Sequence, residues 1–255
     1  MSEKTKITTK DIRRAKGARR LVWLTAYDTV TARLAVAGGA DALLVGDSLG
    51  NTILGLENSV PVTLEMMLHH TAAVARAKPA ALLIADVPFA IAHYSFDRVL
   101  DACAQLMRAG AEAVKIEGGT DMAPVIARLV AAGVPVCGHV GLQPQQVFRL
   151  GGYKKFGASA DEAEQVRADA LAVAEAGAFA IVGEMLAPAT AAAVRDALPV
   201  PLIGIGSGAD CDGQILVIHD LLGLTENPPP FAKPRARLAD AAVAAIAGWA
   251  AEVRG

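Results

Sequence analysis

The sequence has few of the features that mark secreted, membrane or nucleic-acid-binding proteins. Its 255 residues include only three cysteines, Cys103, Cys137 and Cys211, and no two of them form a C-x-x-C pair. This spacing excludes a disulfide scaffold and a cysteine-rich zinc site. We therefore expect the chain to work in a reducing compartment, the cytoplasm.

Long hydrophobic runs and charge of one sign are also missing. The longest apolar stretch, residues 241–251, falls well short of the ~18–20 residues that a membrane-spanning helix requires. Residues 1–20 are basic but contain no apolar segment, so they do not predict a secretory signal. Lysine and arginine total 24 against 26 acidic residues, a net charge of −2, which favours neither nucleic acid nor a membrane surface as a partner.

What the sequence does have is a repeated pattern of helix, glycine and apolar run. Hydrophobic residues make up 53% of the chain, and a glycine-containing cluster followed by a short apolar run recurs at 37–47, 109–118, 131–139 and 175–184. Glycine commonly ends a helix, and a short apolar run is typical of a strand buried on both faces. The repetition predicts βαβ units and a parallel sheet.

Eight such strands and seven helices can be placed along the chain. The predicted strands are 21–28, 42–49, 81–89, 113–119, 134–142, 180–186, 201–208 and 214–222, and the predicted helices are 30–37, 64–77, 96–109, 122–132, 161–176, 189–198 and 238–253. Eight units in this length predict one α/β domain over 1–255, a (β/α)8 TIM barrel with an N-terminal arm or helix (1–20) and a C-terminal helix (235–255). An open doubly wound sheet is the alternative, but no G-x-G-x-x-G follows the first strand.

Polar residues interrupt these apolar runs where the predicted strands end. They are Asp47, Ser48, Asp86, Lys115, Glu117, His139 and Glu184. In a barrel the carboxyl ends of the strands form one ring, which is where barrel enzymes carry their chemistry. Each residue also has a structural alternative: the aspartates as helix caps, Lys115 as an ion pair with Glu117 on the same strand face, and His139 as a core histidine.

The ring is rich in oxygen and has no pair of soft ligands. Carboxylates alone suit Mg²⁺, whereas zinc would require more nitrogen or sulfur. Such a cation, bound to a 2-oxo acid, would stabilise the enolate that forms when the adjacent carbon loses a proton. Glu184, flanked by apolar residues, is the candidate general base. The GIGSG run at 204–208 is either a tight turn or a phosphate-binding loop.

Several motifs in this order resemble the ketopantoate hydroxymethyltransferase family. They are TAYD (25–28), LVGDSLG (44–50), PVT (61–63), HTAAV (70–74), VKIEGG (114–119), PVCGHVGL (135–142), GGYK (151–154), IGIGSG (203–208) and DGQILVIHDLLGL (212–224). The resemblance runs from about residue 25 to residue 231. The chain departs from the family pattern after Glu184, at Gln143 and Gln146, and at Pro229-Pro230.

The resemblance implies an activity and a role for each strand-end residue. The activity is transfer of a hydroxymethyl group from 5,10-methylenetetrahydrofolate to 3-methyl-2-oxobutanoate, giving 2-dehydropantoate for pantothenate biosynthesis, in a homo-oligomer that is typically a decamer. Asp47, Asp86 and Glu117 would bind one Mg²⁺ per subunit; Asp47, Ser48, Asp86, Lys115 and His139 would bind the substrate; and Glu184 would accept the proton.

Three other hypotheses compete with this one. A Mg²⁺-dependent lyase of the isocitrate lyase and phosphoenolpyruvate mutase type would share the strand-end carboxylates, but residues 134–136 are apolar where its loop carries lysines. Lys115 could form an imine with the substrate, as in a class I aldolase, although Glu117 favours its charged form. A non-catalytic binding protein would have no reason to keep the polar ring.

Overall fold

The sheet closes into a barrel of eight parallel strands. The computed structural model describes residues 5–152 and 154–255. Consecutive strands pair in parallel, and the first strand also pairs with the eighth, which confirms the predicted (β/α)8 barrel. The first four residues of the predicted arm and Tyr153 of the GGYK motif lie outside the described residues.

Helices connect most of the strands. The strands are β1 (Leu21–Thr25), β2 (Ala42–Val45), β3 (Leu82–Asp86), β4 (Ala113–Glu117), β5 (Val136–Gly141), β6 (Ala180–Glu184), β7 (Leu202–Ile205) and β8 (Gly213–Leu216). The helices are α1 (Thr9–Arg14), α2 (Thr29–Ala37), α3 (Leu49–Thr52), α4 (Leu64–Ala75), α5 (Phe96–Arg108), α6 (Ala123–Ala131), α7 (Val147–Leu150), α8 (Ala160–Glu175), α9 (Pro188–Ala197), α10 (Ile218–Leu222) and α11 (Leu238–Arg254). None of the helices in the described part of the chain is long and apolar enough to cross a membrane.

Alternate residues of each strand face opposite sides of the barrel wall. On β2, for example, Leu44 packs with the cluster inside the barrel, whereas Leu43 packs with the cluster between the sheet and the helices. This period of two places Ala113, Lys115 and Glu117 of β4 on the inner side. A strand that is apolar in its body and polar at its end therefore delivers the polar side chain into the barrel mouth.

The eighth unit departs from the prediction. A strand was expected over 214–222, but β8 ends at Leu216 and the short helix α10 begins at Ile218. The backbone N–H of Ile218 donates to Thr25 Oγ1 at 3.0 Å, which ties the start of α10 to the end of β1. The sequence did not predict the boundary between β8 and α10, because the segment is one continuous apolar run. Over a few residues a buried helix and a buried strand have the same composition.

The last helix and one residue of the barrel wall are exposed. None of the residues of α11 is buried, although Val243, Ile246, Trp249 and Val253 are each about two-thirds exposed and lie three or four residues apart. On the barrel wall, Val22 of β1 is 50% exposed, where an outward-facing strand residue of a barrel is normally covered by a helix. Both surfaces are therefore available for a protein partner.

Candidate active site

A cavity of about 590 Å³ opens at the carboxyl ends of the strands. All seven residues predicted from the sequence line it, namely Asp47, Ser48, Asp86, Lys115, Glu117, His139 and Glu184. Asp47 and Ser48 follow β2, and the others end or nearly end β3, β4, β5 and β6. The convergence that the sequence predicted is thus observed.

The register between neighbouring strands sets the pairs of side chains that meet. Asp86 of β3 lies opposite Lys115 of β4, and Glu117 of β4 lies opposite His139 of β5. Lys115 Nζ contacts Asp86 Oδ1 at 2.9 Å and Glu117 Oε1 at 3.7 Å. The partner of Lys115 expected from the sequence, Glu117, is therefore present, but the nearer carboxylate comes from the adjacent strand.

Three carboxylates share this buried space with one lysine. Burial first, then the charges of Asp86 and Glu117, raise the pKa of Asp47 to about 8. Burial also raises the pKa of Asp86, although Lys115 opposes the shift. Burial acts in the same direction on Glu117, but His139 and Lys115 outweigh it and lower the pKa of that carboxyl. The site concentrates more negative charge than Lys115 alone can compensate.

The donor set fits a hard divalent cation. Asp86 Oδ1 and Glu117 Oε1 are buried and make no well-directed hydrogen bond. Carboxylate oxygens are the ligands that Mg²⁺ prefers, and a second cation would offset the repulsion among Asp47, Asp86 and Glu117. In the described residues no three acidic, histidine or cysteine side chains already surround a common point. Asp86 contacts Lys115, and Asp47 contacts a glutamine. The chemistry of the residues fits the cation, and their side chains are held by other partners.

That glutamine, Gln145, is a site residue that the sequence analysis missed. Its side-chain amide Nε2 donates to Asp47 Oδ2 at 2.8 Å and to the Val87 carbonyl at 3.0 Å. Its backbone N–H donates to Glu117 Oε2 at 3.1 Å. Gln145 lies in a short 3₁₀ turn after β5, between the two glutamines that mark a departure from the family pattern, so the GLQPQQV segment was the available signal. One loop residue thus orients two of the three predicted metal ligands.

His139 joins the carboxylate cluster to Glu184. His139 Nδ1 lies 3.0 Å from Lys115 Nζ, and His139 Nε2 lies 3.3 Å from Glu184 Oε2. Burial and the Lys115 charge oppose protonation of His139, yet Glu117 and Glu184 together raise its pKa to about 9. The Glu184 side chain is 15% exposed, whereas the side chains of Asp86 and Glu117 are 3% and 4% exposed, so Glu184 is the most accessible of these three carboxylates.

The backbone around Glu184 is held in an unusual conformation. Met185, which follows it, has a φ of 52°, a left-handed value that is uncommon for a residue other than glycine. Ser207 Oγ donates to the Gly183 carbonyl at 2.8 Å and accepts from the Leu186 N–H at 2.9 Å. The GIGSG run therefore fixes the strand end that carries Glu184, and its serine is engaged with backbone.

Ser48 is oriented by a second residue outside the predicted set. Its Oγ lies 2.8 Å from the hydroxyl of Tyr27, and the Tyr27 side chain is fully buried. Burial raises the pKa of Tyr27, so its hydroxyl remains protonated and can donate or accept a hydrogen bond. Asp28 beside it caps α2 by accepting from the Thr31 N–H at 2.7 Å, which is the structural role expected of a strand-end aspartate.

The fold and the site together define a barrel enzyme whose chemistry lies at the carboxyl-end mouth. The profile of one family, described as ketopantoate hydroxymethyltransferase, matches residues 6–255. Proteins named 3-methyl-2-oxobutanoate hydroxymethyltransferase are 50% identical in Pyrobaculum calidifontis, over 99% of this chain and 95% of that protein, and 51% identical in Hyperthermus butylicus, over 100% and 88%. The chain belongs to the ketopantoate hydroxymethyltransferase family.

Solved structures of more distant sequence share the fold. A phosphonopyruvate hydrolase in complex with oxalate and Mg²⁺ superposes with a TM-score of 0.65 at 18% identity, covering 97% of this chain and 87% of that one. A 2,3-dimethylmalate lyase of the phosphoenolpyruvate mutase and isocitrate lyase superfamily has a TM-score of 0.60 at 20% identity, covering 96% and 87%. These similarities independently support the barrel architecture.

Proposed function

We propose that this chain transfers a hydroxymethyl group from 5,10-methylenetetrahydrofolate to 3-methyl-2-oxobutanoate, giving 2-dehydropantoate and tetrahydrofolate. The observation that carries the proposal is the convergence of three buried carboxylates, Lys115 and Glu184 in one cavity, in a chain of this family. The carboxylates suit a cation, Lys115 suits the anionic end of a keto acid, and Glu184 suits proton removal. Relatives of about 50% identity carry the name of this activity.

The site residues divide the tasks of the proposed reaction. Asp47, Asp86 and Glu117 would hold one Mg²⁺, which supplies Lewis acidity that favours loss of a proton next to the keto group. Lys115 and Ser48 would bind the substrate carboxylate, with Asp47 and Asp86 also lining the substrate position, and His139 would lie near the keto oxygen. Glu184 then accepts the proton from the branched carbon.

The bond changes follow from that proton transfer. The carbanionic carbon of the substrate forms a C–C bond to the methylene carbon of the folate. Both methylene C–N bonds to the folate break, and water supplies the oxygen of the new hydroxyl group. The two folate nitrogens take up one proton from that water and the proton that Glu184 removed from the substrate. His139, 3.3 Å from Glu184, holds the base in place.

The structure favours this route over an imine on Lys115. The ammonium lies 2.9 Å from Asp86, and Asp86, Glu117 and Asp47 raise the pKa of Lys115 even though burial opposes the shift. A charged ammonium has no lone pair with which to attack a carbonyl. Borohydride treatment with substrate is expected to leave Lys115 unmodified, and trapping of substrate on this lysine would contradict the proposal.

Family membership also separates the transferase from the lyase hypothesis. Cys137 and His139 of the barrel match the C-G-H segment that lyases of this fold share, but the residues before them, 134–136, are apolar. The lysines of a lyase loop are therefore absent from the described segment. The test is product analysis: the protein, with Mg²⁺ and both substrates, should form 2-dehydropantoate, and cleavage of a 2-oxo acid without folate would support a lyase instead.

The chain is further proposed to act in the cytoplasm as a homo-oligomer, a decamer as in typical family members. The exposed stripe of α11 and the half-exposed Val22 of β1 are both apolar; the stripe consists of Val243, Ile246, Trp249 and Val253. Apolar surfaces of this kind are stabilised by burial in an interface. A second copy of the chain offers both surfaces at once, so an assembly of copies can cover them.

A further inference from the structure

The cavity extends beyond the carboxylate cluster to a second end. There it is lined by Thr225, Asn227, Pro228, Pro229, Pro230 and Phe231, from the segment between α10 and α11. The volume of about 590 Å³ lies within the ~300–1,000 Å³ typical of drug-sized ligands, and it exceeds what a five-carbon keto acid fills. This end is built mainly of apolar side chains and has room for a larger molecule.

One carboxylate, Asp220, lies at this end of the cavity. Asp220 is the third residue of α10, is 5% exposed, and lines the same cavity as Lys115 and Glu184. Among the described residues, no lysine, arginine or histidine forms an ion pair with it. Thr225 gives it a hydrogen bond, and burial lowers the pKa of the adjacent His219, which keeps that ring neutral at pH 7. Burial raises the pKa of Asp220, so hydrogen-bond donors from a ligand would stabilise the charged form of a carboxylate that already lines the cavity.

The keto acid is not that ligand, because its own carboxylate would be repelled by Asp220 and already has Lys115 as a partner. The ligand must instead present N–H donors. The 2-amino-4-oxo ring of a reduced pterin carries N3–H and the 2-amino group along one edge, and a carboxylate accepts two such parallel hydrogen bonds. The proline segment and the ring of Phe231 supply apolar walls of the kind that line sites for flat rings.

Phe231 also connects this end of the cavity to the reacting end. A methyl group added at Gly206 would lie 2.9 Å from the Phe231 ring and 2.7 Å from Met185 Sδ, so the ring and Met185 flank the same glycine. Met185 directly follows Glu184 in the chain. A ring bound along Phe231 is therefore adjacent to the strand end that carries the proposed base, where the one-carbon unit has to be delivered.

We propose that Asp220 binds the pterin edge of the one-carbon donor, with Phe231 as a wall of the same subsite. The proposal rests on the proposed function, since it assigns the folate half of that site. Two ligands would then bind in one cavity: the cluster around Lys115 binds the keto acid, and Asp220 binds the folate.

The test combines a folate-binding measurement with a reaction that requires no folate. Binding of tetrahydrofolate to wild type and Asp220→Asn is measured by calorimetry, and Mg²⁺-dependent exchange of the C3 proton of 3-methyl-2-oxobutanoate in D₂O is followed by NMR. We expect Asp220→Asn to bind tetrahydrofolate about 10- to 100-fold more weakly, which is the value of hydrogen bonds to a charged group. It should still exchange the C3 proton, and Asp101→Asn on the outer helix α5 should match wild type in both assays.

The outcomes separate failure of this proposal from failure of the proposed function. If wild type and Asp220→Asn both exchange the C3 proton and bind tetrahydrofolate equally well, the role of Asp220 is refuted. Glu57 is an exposed carboxylate that also lines the cavity. Weaker tetrahydrofolate binding in Glu57→Gln but not in Asp220→Asn would likewise refute that role. An absence of exchange in wild type would instead contradict the proposed function. If Asp220→Asn fails to fold, wild type is titrated with a 2-desamino tetrahydrofolate analogue, which should bind about 10- to 100-fold more weakly; equal binding of the two ligands would refute the proposal.

Discussion

Replacing Gln145 by leucine should weaken metal binding without removing any proposed ligand. The variant loses the 2.8 Å hydrogen bond from the side chain to Asp47 and the 3.0 Å bond to the Val87 carbonyl. The backbone N–H bond to Glu117 at 3.1 Å survives, because it does not depend on the side chain. The substitution therefore isolates the orientation of Asp47.

The expected magnitude follows from the charge on the acceptor. A hydrogen bond to a charged group contributes about 1.5–3 kcal/mol, and loss of an outer partner of a metal ligand typically costs ~10–100-fold in affinity. We expect the affinity for Mn²⁺, measured by electron paramagnetic resonance as a substitute for Mg²⁺, to fall about 10- to 100-fold. Substrate-free protein suffices for this measurement, so it is independent of turnover.

A neighbouring glutamine provides a matched control. Gln146 donates its side-chain amide to Gln143 and makes no bond to the carboxylate cluster. Gln146→Leu should therefore bind Mn²⁺ as wild type does. Wild-type affinity in Gln145→Leu, or equal losses in the two variants, would refute the argument that Gln145 orients Asp47.

Three further predictions follow from which side chains are buried and which are exposed. Lys115→Met should lower the free energy of unfolding by about 3–5 kcal/mol, because it leaves buried carboxylates without their cation. Mg²⁺ should then raise the melting temperature of the variant more than that of wild type. An equal effect of Mg²⁺ on the two proteins would contradict this prediction. The thiols of Cys103, Cys137 and Cys211 should not react with a thiol reagent at pH 8 in folded protein. Burial raises their pKa values to about 12, 12 and 11, so almost no reactive thiolate is present at pH 8. Labelling of these thiols in folded protein would contradict this prediction. Trp249→Glu should shift the sedimentation coefficient to a smaller species, and an unchanged value would exclude α11 from the interface.

The strand-end residues were predictable from the sequence because two simple rules act together. Side chains alternate across a strand, and parallel strands of a barrel end at one rim. Once the barrel was inferred, Asp86, Lys115 and Glu184 were therefore expected to line the same mouth. The helices were predictable for a related reason: each of the seven predicted helices agrees with the structure to within two residues at its ends. Both inferences use only local patterns.

Contacts between distant segments were not predictable in this way. Lys115 has a same-strand partner at i+2, Glu117, but the nearer carboxylate is Asp86, because the register of β3 against β4 places the two side by side. Gln145 contacts Asp47 across 98 positions of sequence, through a loop whose path no periodicity describes. Local alternation fixes which way a side chain points, and only the packed barrel fixes what it meets.

Proton exchange at C3 of 3-methyl-2-oxobutanoate tests the central claim most directly. With Mg²⁺ in D₂O and no folate, NMR should show the C3 proton replaced by deuterium in wild type. The exchange should disappear without the metal and fall at least about 100-fold in Glu184→Gln, since a positioned general base contributes ~10²–10⁴-fold. Folded wild-type protein that binds the keto acid and Mg²⁺ but does not exchange this proton, or a Glu184→Gln variant that exchanges it at the wild-type rate, would contradict the account.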